Sequence, residues 1–81
     1  MWFLYIAQCS DDTFYTGISN DLKKRLKEHN SGKGSKYTRA RLPVAFVYTE
    51  EFDNRSQASK REAEVKRLNR TQKEQLVGKK Q

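Results

Sequence analysis

Residues 2–8, WFLYIAQ, are apolar or aromatic at almost every position, and this run constrains the fold more than any other feature. Successive side chains of a strand point to opposite faces of a sheet, so a strand with two apolar faces must be covered on both sides. The chain has 81 residues, of which only 35% are hydrophobic, so it forms one domain with a thin core. We therefore predict that residues 2–8 form the central strand of a sheet.

Two further strands are predicted on either side of a helical and basic region. Residues 10–13, SDDT, are turn formers, and residues 14–18, FYTGI, have the composition of the return strand of a hairpin. The basic loop GKGSKYTRARL ends at Pro43, and residues 44–52 predict a third strand.

Helices are predicted in the remaining segments. Ser19 or Asn20 is expected to cap the first helix, with Asp21 in its first turn and Gly32 and Gly34 at its end. A second long helix would start after Asp53 or Asn54 and run to about residue 68. A short third helix follows from residue 71. The order β-β-α-loop-β-α-α predicts a small α+β domain over residues 1–77, with residues 78–81 frayed.

The charge balance favours an anionic partner. Lys and Arg number 17 against 10 acidic residues, a net charge of +7, which favours nucleic acid first and an acidic membrane surface second. Many small proteins are basic without binding nucleic acid, so charge alone leaves the partner open. Cys9 is the single cysteine, which excludes an internal disulfide and suits a reducing cytoplasm. The first eight residues are too short for a membrane span and lack the basic start of a signal peptide.

Two ionisable side chains fall on the apolar face of the first helix. Helical spacing puts His29 on the same face as Leu22 and Leu26, and Arg25 at its border. A buried histidine satisfied by a backbone carbonyl is one reading of His29. An arginine stem lying over the core, with its head in water, is the corresponding reading of Arg25.

The second long helix carries the opposite charge on its apolar stripe. Glu62 lies between Ala58 and Val65, where a carboxylate is costly unless it is paired or bound to a cation. Glu62 pairing with Arg25 across the core is the structural alternative. With Tyr5 and Tyr15 in the two hairpin strands, five polar side chains are then expected to converge beside one sheet face, although tyrosine is also common in strands for packing alone.

These residues form an ordered set that resembles the GIY-YIG nuclease domain. The set begins with LYI (residues 4–6), continues with YTGIS-x-DL-x-x-R and H-N-x-G-K-G, and ends with A-x-x-R-E-x-x-x-K at Lys66. The spacing YTG-x7-R is similar to that of the nuclease module of the excision-repair incision protein, and small stand-alone bacterial GIY-YIG proteins are closer still. Two departures are the first motif, which reads Leu4-Tyr5-Ile6 rather than Gly-Ile-Tyr and so lacks the glycine, and Ile18 where the repair nuclease typically carries a lysine.

The resemblance implies a three-stranded antiparallel sheet flanked by helices and a metal-dependent endonuclease that hydrolyses phosphodiester bonds, in DNA rather than RNA, in DNA repair or processing. Glu62 would bind one Mg²⁺ or Mn²⁺ ion, which prefers oxygen ligands. Arg25 would hold the scissile phosphate, and Tyr15 would orient or deprotonate the attacking water. Tyr5 and His29 would complete the hydrogen-bond chain.

The basic loop is the expected nucleic-acid-binding segment. The residues assigned to gripping the backbone or stacking a base are Lys33, Lys36, Tyr37, Arg39 and Arg41. A solvated basic turn is the alternative for this loop. A GIY-YIG fold that binds nucleic acid without useful catalysis is the alternative for the whole protein, and a scaffold that is merely basic is a third.

The hairpin gives a direct structural test of a shared tyrosine site. A two-residue loop at Asp11 and Asp12 would put Tyr5 opposite Ile18 and turn Tyr15 to the other face. If both tyrosines serve one site, the loop must have an odd length or the strands must contain a bulge. A two-residue turn without a bulge would contradict a shared site.

Overall fold

A computed structural model describes residues 1–79 and has seven elements. The strands are β1 (Trp2–Gln8), β2 (Phe14–Ser19) and β3 (Ala45–Phe52). The helices are α1 (Leu22–Asn30), α2 (Lys36–Arg39), α3 (Arg55–Lys66) and α4 (Arg70–Lys79). The predicted α+β class and element order are confirmed, with α2 as an addition inside the segment expected to be a loop.

The sheet is antiparallel in the order β2-β1-β3, so β1 is the central strand as its two apolar faces predicted. Alternate residues of β1 belong to two separate cores. Tyr5 and Ala7 pack with Leu22 and Leu26 of α1. Leu4 and Ile6 pack on the other face, with Val65 of α3 and two residues of α4, Leu76 and Val77. Each face thus has its own helical cover, and a chain of this size buries the middle of β1 completely.

The β1–β2 loop has three residues, which confirms the expected odd length. The amide of Cys9 donates to the carbonyl of Thr13 at 2.8 Å, leaving residues 10–12 as the loop. Asp12 has φ +67°, a left-handed conformation that Asp tolerates, and it closes a turn with its amide on the Cys9 carbonyl. In this register Ala7 lies opposite Tyr15 and Tyr5 opposite Gly17. Tyr5 and Tyr15 therefore project from the same sheet face.

A bulge in β3 changes which of its side chains face the tyrosines. The pairing with β1 shifts by one residue between Ile6 and Ala7, so that Val47 is the extra residue. As a result Phe46 packs with Tyr5, whereas Val47 and Tyr48 pack in the opposite core. The bulge therefore adds an aromatic ring to the face that α1 covers.

The helix caps agree with the sequence in part. The expectation of Ser19 or Asn20 as the first cap is wrong: the Asp21 carboxylate accepts from the Lys24 amide and is the N-cap of α1. Ser19 instead hydrogen-bonds the backbone of Asp21 with its hydroxyl. Asn54 caps α3 by accepting from the Gln57 amide, as one of the two predicted candidates.

The C-terminal part ends differently from the expectation. The helix α4 includes Gly78 and Lys79, the first two residues of the segment expected to fray, and residues 80 and 81 lie outside the described residues. Within residues 1–79 no helix is long and apolar enough to cross a membrane.

Gly17 is required by the close approach of Tyr5 across the hairpin. A Cβ built at Gly17 would lie 2.5 Å from the Tyr5 hydroxyl oxygen and 2.6 Å from its Cζ. The ring of Tyr5 therefore lies over β2, an edge strand, and its hydroxyl reaches the edge of the sheet. Any side chain at position 17 would have to displace it.

We predict that Gly17→Ala destabilises the fold by about 1–3 kcal/mol, because a methyl group would be forced into a packed contact. Urea unfolding measures this change. Gly78→Ala is the matched control, since a methyl group added there would have no heavy atom within 4 Å and alanine favours helix. Equal unfolding midpoints for Gly17→Ala and the wild type would show that Tyr5 does not pack over Gly17.

Candidate active site

Tyr5 is the centre of the site and is almost completely buried, with 1% of its surface exposed. Its ring stacks on Phe46, with centroids 4.3 Å apart and planes at 24°. Gly17 leaves room on the β2 side. The ring is thus held from two strands, and its hydroxyl is fixed in position against α1.

His29 is fully buried, as its helical position predicted, and both of its ring nitrogens are hydrogen-bonded. Nε2 lies 2.9 Å from the Tyr5 hydroxyl, and Nδ1 lies 2.8 Å from Thr38 Oγ1. The alternative in which a carbonyl satisfies the buried histidine is wrong. Two hydroxyls, one from β1 and one from α2, satisfy the imidazole instead.

The partners of these hydroxyls assign a direction to the hydrogen bonds. With its hydroxyl proton directed at the Ser35 carbonyl, 3.2 Å away, Thr38 Oγ1 accepts from Nδ1–H of His29. Nε2 then carries a lone pair and accepts from the Tyr5 O–H. The Tyr5 oxygen in turn accepts from Arg25 Nε at 3.3 Å. The chain of donors therefore runs from Arg25 through Tyr5 to His29.

Arg25 lies at the border of the buried face, as predicted, with 29% of its side chain exposed. Its Nε is bound to Tyr5 and its Nη1 to Glu28 Oε1 at 3.4 Å. Nη2 has no partner among residues 1–78. The guanidinium is thus held by two contacts while one nitrogen stays available to an anionic group.

Burial and charge shift the proton affinities in this cluster. Burial lowers the pKa of His29 below its usual value, and the positive charge of Arg25 lowers it further. Burial raises the pKa of Tyr5, against the opposing effect of the hydrogen bond from Arg25. At neutral pH, His29 is therefore a neutral proton acceptor and Tyr5 a neutral donor.

Tyr15 lies beside this cluster with a free hydroxyl. Its ring is 6.4 Å from that of Tyr5 and 5.6 Å from that of His29, the latter edge-on. Its hydroxyl makes no hydrogen bond within residues 1–78, and the side chain is only partly buried. Tyr37, from α2, stacks beside it at 6.1 Å and is itself exposed. An aromatic row thus leads from the buried Tyr5 to the surface.

The helix that carries Glu62 does not pack on the sheet face expected for the five-residue convergence. The helix α3 packs on the face of Leu4 and Ile6, opposite to the face that holds Tyr5 and α1. The alternative pairing of Glu62 with Arg25 is also wrong, since Glu62 Oε2 lies 3.3 Å from Lys66 Nζ. The carboxylate is 24% exposed, and its charge contributes to the raised pKa of Tyr5. Glu62 is therefore close enough to the Tyr5 hydroxyl for its charge to act there, although α3 covers the opposite sheet face.

The basic loop separates into two kinds of cation. Lys33, Lys36 and Arg39 are exposed and form no ion pair within residues 1–78. Arg41 differs, because its Nε lies 3.0 Å from Asp11 Oδ2 and its guanidinium lies 4.0 Å from the centroid of the Tyr37 ring. The roles predicted for these residues in nucleic-acid binding stay predictions.

Three positions of the site were missed by sequence reasoning. Thr38 is fully buried although it lies in a run of charged residues, and Phe46 reaches the site only because of the β3 bulge. Gly34 lies against His29, where a Cβ would come very close to Nδ1, although in the sequence this glycine marks only the end of a helix. A Ser-x-x-Thr pattern after it, which caps α2, was the available signal for Thr38.

Comparison with known proteins identifies the architecture. The family model described as the GIY-YIG catalytic domain matches residues 1–75. The chain belongs to the GIY-YIG family. This family is part of a nuclease superfamily, so its domain implies a nucleic-acid substrate. The resemblance drawn from the sequence motifs is thereby confirmed.

Relatives and a solved structure match this chain over nearly its whole length. A UPF0213 protein of Halobacterium salinarum is 50% identical, covering 94% of this chain and 99% of the relative. One of Clostridium perfringens is 50% identical over 99% of this chain and 86% of the relative. The solution structure of a UPF0213 protein of Bacillus halodurans shares 47% identity, covers 96% of this chain and 84% of its own, and has a TM-score of 0.61.

The buried histidine predicts a pH-dependent stability. His29 has a lowered pKa in the folded state, so the unfolded state binds a proton first as the pH falls below about 6.5. The contribution of the neutral imidazole to the free energy of unfolding is therefore fully present above that pH. Below it, this contribution decreases by at most about 1.4 kcal/mol per pH unit. We expect the wild type to lose stability between pH 7.5 and 5.5.

Urea unfolding across this range measures the slope, with His29→Gln as the comparison. His29 is the only histidine of the chain, so the variant should show a flatter profile. Parallel profiles for the two proteins would mean that His29 is not held in its neutral form.

Proposed function

We propose that this GIY-YIG domain is an endonuclease that hydrolyses phosphodiester bonds in DNA with the help of one divalent metal ion. The observation that carries the proposal is the hydrogen-bond chain from Arg25 through the Tyr5 hydroxyl to Nε2 of the buried His29. A module that only binds nucleic acid needs surface cations. It does not need a neutral imidazole and a tyrosine hydroxyl buried behind an arginine.

Arg25 is suited to hold the scissile phosphate. Its fork is oriented by Tyr5 and Glu28, so little side-chain freedom is lost when Nη2 donates to a phosphate oxygen. The same positive charge stabilises the negative charge that builds up on the phosphate as water attacks. The exposed Lys33, Lys36 and Arg39 would hold the flanking backbone by charge.

Tyr15 is the tyrosine placed to meet the attacking water. Its hydroxyl has no partner within residues 1–78 and its side chain is partly exposed, whereas Tyr5 is sealed in the core. If the Tyr5 oxygen takes up a proton released by the water, its own O–H proton would pass to Nε2 of His29 along the 2.9 Å hydrogen bond. Because the pKa of His29 is lowered, this nitrogen carries no proton of its own at neutral pH and can accept one.

Glu62 is the residue that would hold the metal ion. No three His, Cys, Asp or Glu side chains cluster anywhere in residues 1–79, which does not suit a metal caged by protein ligands. One partly exposed carboxylate does suit Mg²⁺ or Mn²⁺, which keep several waters and take further oxygens from a substrate phosphate. Such an ion would supply charge neutralisation at the phosphate.

We predict that Glu62→Gln abolishes cleavage, lowering the rate by at least about a hundredfold, while the protein stays folded and still binds DNA. The reason is that, within residues 1–78, Glu62 pairs with Lys66 alone, an i,i+4 contact of a type worth about 0.3–0.5 kcal/mol. Losing one negative charge should leave DNA affinity equal or slightly higher. Thermal melting, DNA binding and cleavage in Mg²⁺ are measured on the same preparation.

Glu64→Gln is the matched control, because it removes the same charge from the same helix at an exposed position, where Glu64 pairs with Arg61. It should cleave at the wild-type rate. Wild-type cleavage by Glu62→Gln would rule out this metal assignment. A wild-type protein that binds DNA and never cleaves it would favour the non-catalytic binding module.

A further inference from the structure

Asp11, in the β1–β2 loop, is a fixed carboxylate. Its Oδ1 accepts from the Thr13 amide at 3.2 Å and from the Thr13 hydroxyl at 2.6 Å. These hydrogen bonds, chiefly that of the hydroxyl, lower the pKa of Asp11, so the group is charged at neutral pH. Its other oxygen, Oδ2, accepts from Arg41 Nε at 3.0 Å, and the Arg41 carbonyl accepts from the Ser10 amide at 2.9 Å. The hairpin loop therefore holds Arg41 by both its side chain and its backbone.

Arg41 passes this anchorage on to α2. Its Nη1 donates to the Tyr37 carbonyl at 2.9 Å, and its guanidinium lies over the Tyr37 ring. Tyr37 stacks beside Tyr15, and the hydroxyl of the next residue, Thr38, is hydrogen-bonded to His29 Nδ1. One short segment thus contacts two groups of the site, and one guanidinium ties that segment to the sheet.

We propose that Arg41, held by Asp11, is a positioning residue that sets Tyr37 and Thr38 against Tyr15 and His29. This inference rests on the proposed function and departs from the role in phosphate binding that the sequence suggested for Arg41. Nε and Nη1 of Arg41 are engaged within the protein, whereas Arg39, two residues earlier, is exposed and forms no ion pair within residues 1–78. Arg39 is therefore the phosphate ligand of the pair and Arg41 is not.

The charge of Asp11 distinguishes phosphate binding from positioning as the role of Arg41. An acidic side chain beside a phosphate-binding arginine would repel nucleic acid, so its removal would tighten binding if Arg41 served binding alone. If Arg41 serves positioning, removing either partner releases the same segment. Asp11→Asn and Arg41→Gln should then both lower the cleavage rate, although they change the net charge in opposite directions.

The experiment uses the full chain carrying Asp11→Asn, Arg41→Gln, both together, Arg41→Lys, or Arg39→Gln as the control. Cleavage kinetics, the salt dependence of DNA binding and the ¹⁵N NMR signals of the single histidine ring are recorded for each. We expect Asp11→Asn and Arg41→Gln each to lower kcat about tenfold with KM unchanged, because catalysis is sensitive to small displacements of site groups. The double variant should match the single ones, since one link is broken in all three.

Arg41→Lys and Arg39→Gln test whether the shape of the guanidinium group, and not positive charge alone, is needed at position 41. Arg41→Lys should not restore kcat, because one ammonium group lacks the fork that spans Asp11 and the Tyr37 carbonyl. Arg39→Gln should raise KM and flatten the log–log salt slope of binding by about one unit. The His29 ring signals should move in the Asp11 and Arg41 variants and stay in place in the Arg39 control.

Two results would overturn the proposal: tighter DNA binding with wild-type kcat in Asp11→Asn, or Arg41→Gln behaving as Arg39→Gln does. If the wild type cleaves no DNA, the proposed function fails and the NMR comparison decides this inference by itself. Shifted His29 ring signals in Asp11→Asn and Arg41→Gln would then support the positioning role, and unchanged signals would contradict it.

Discussion

The hydrogen bond between the Tyr5 hydroxyl and His29 Nε2, 2.9 Å long and buried, is the contact on which the rest of the site depends. It joins the central strand to α1, and the same tyrosine oxygen accepts from Arg25. Gly17 and Gly34 lack side chains where Tyr5 and His29 would collide with a Cβ. Buried polar groups are costly when unpaired, so this contact requires Thr38 and Arg25 to satisfy the remaining atoms.

The edge position of β2 lets Tyr5 and the helix that carries Glu62 belong to one proposed site although they pack on opposite sheet faces. Tyr5 lies on the face that α1 covers, whereas α3, the helix that carries Glu62, covers the other face. Because Tyr5 extends over Gly17 towards the edge of the sheet, its hydroxyl comes within the electrostatic influence of Glu62. A group that lies over a central strand is separated from the opposite face by the sheet itself. A group that lies over an edge strand is close to the open side of the sheet, where the two faces meet. The absent side chain of Gly17 thus contributes to packing and, under the proposed function, to the site.

Residues whose placement follows from periodicity were predictable from the sequence. The apolar residues on both faces of residues 2–8 indicated the central strand, helical spacing indicated the burial of His29 and the border position of Arg25, and the hairpin register required the odd loop. The placement of Glu62 was predicted less well, because a helical stripe identifies the buried side of α3 but not the sheet face that it covers. Thr38 and Phe46 depend on α2 and on a one-residue bulge, and neither has a periodic signal.

The central claim is that this buried cluster serves hydrolysis rather than binding alone. The most direct measurement incubates the wild-type protein with linear, branched and single-stranded DNAs, with Mg²⁺ and with a chelator. A hydrolytic site predicts strand cleavage of at least one substrate in Mg²⁺ and none in the chelator. DNA that is bound but intact under both conditions, across the whole panel, would contradict the claim.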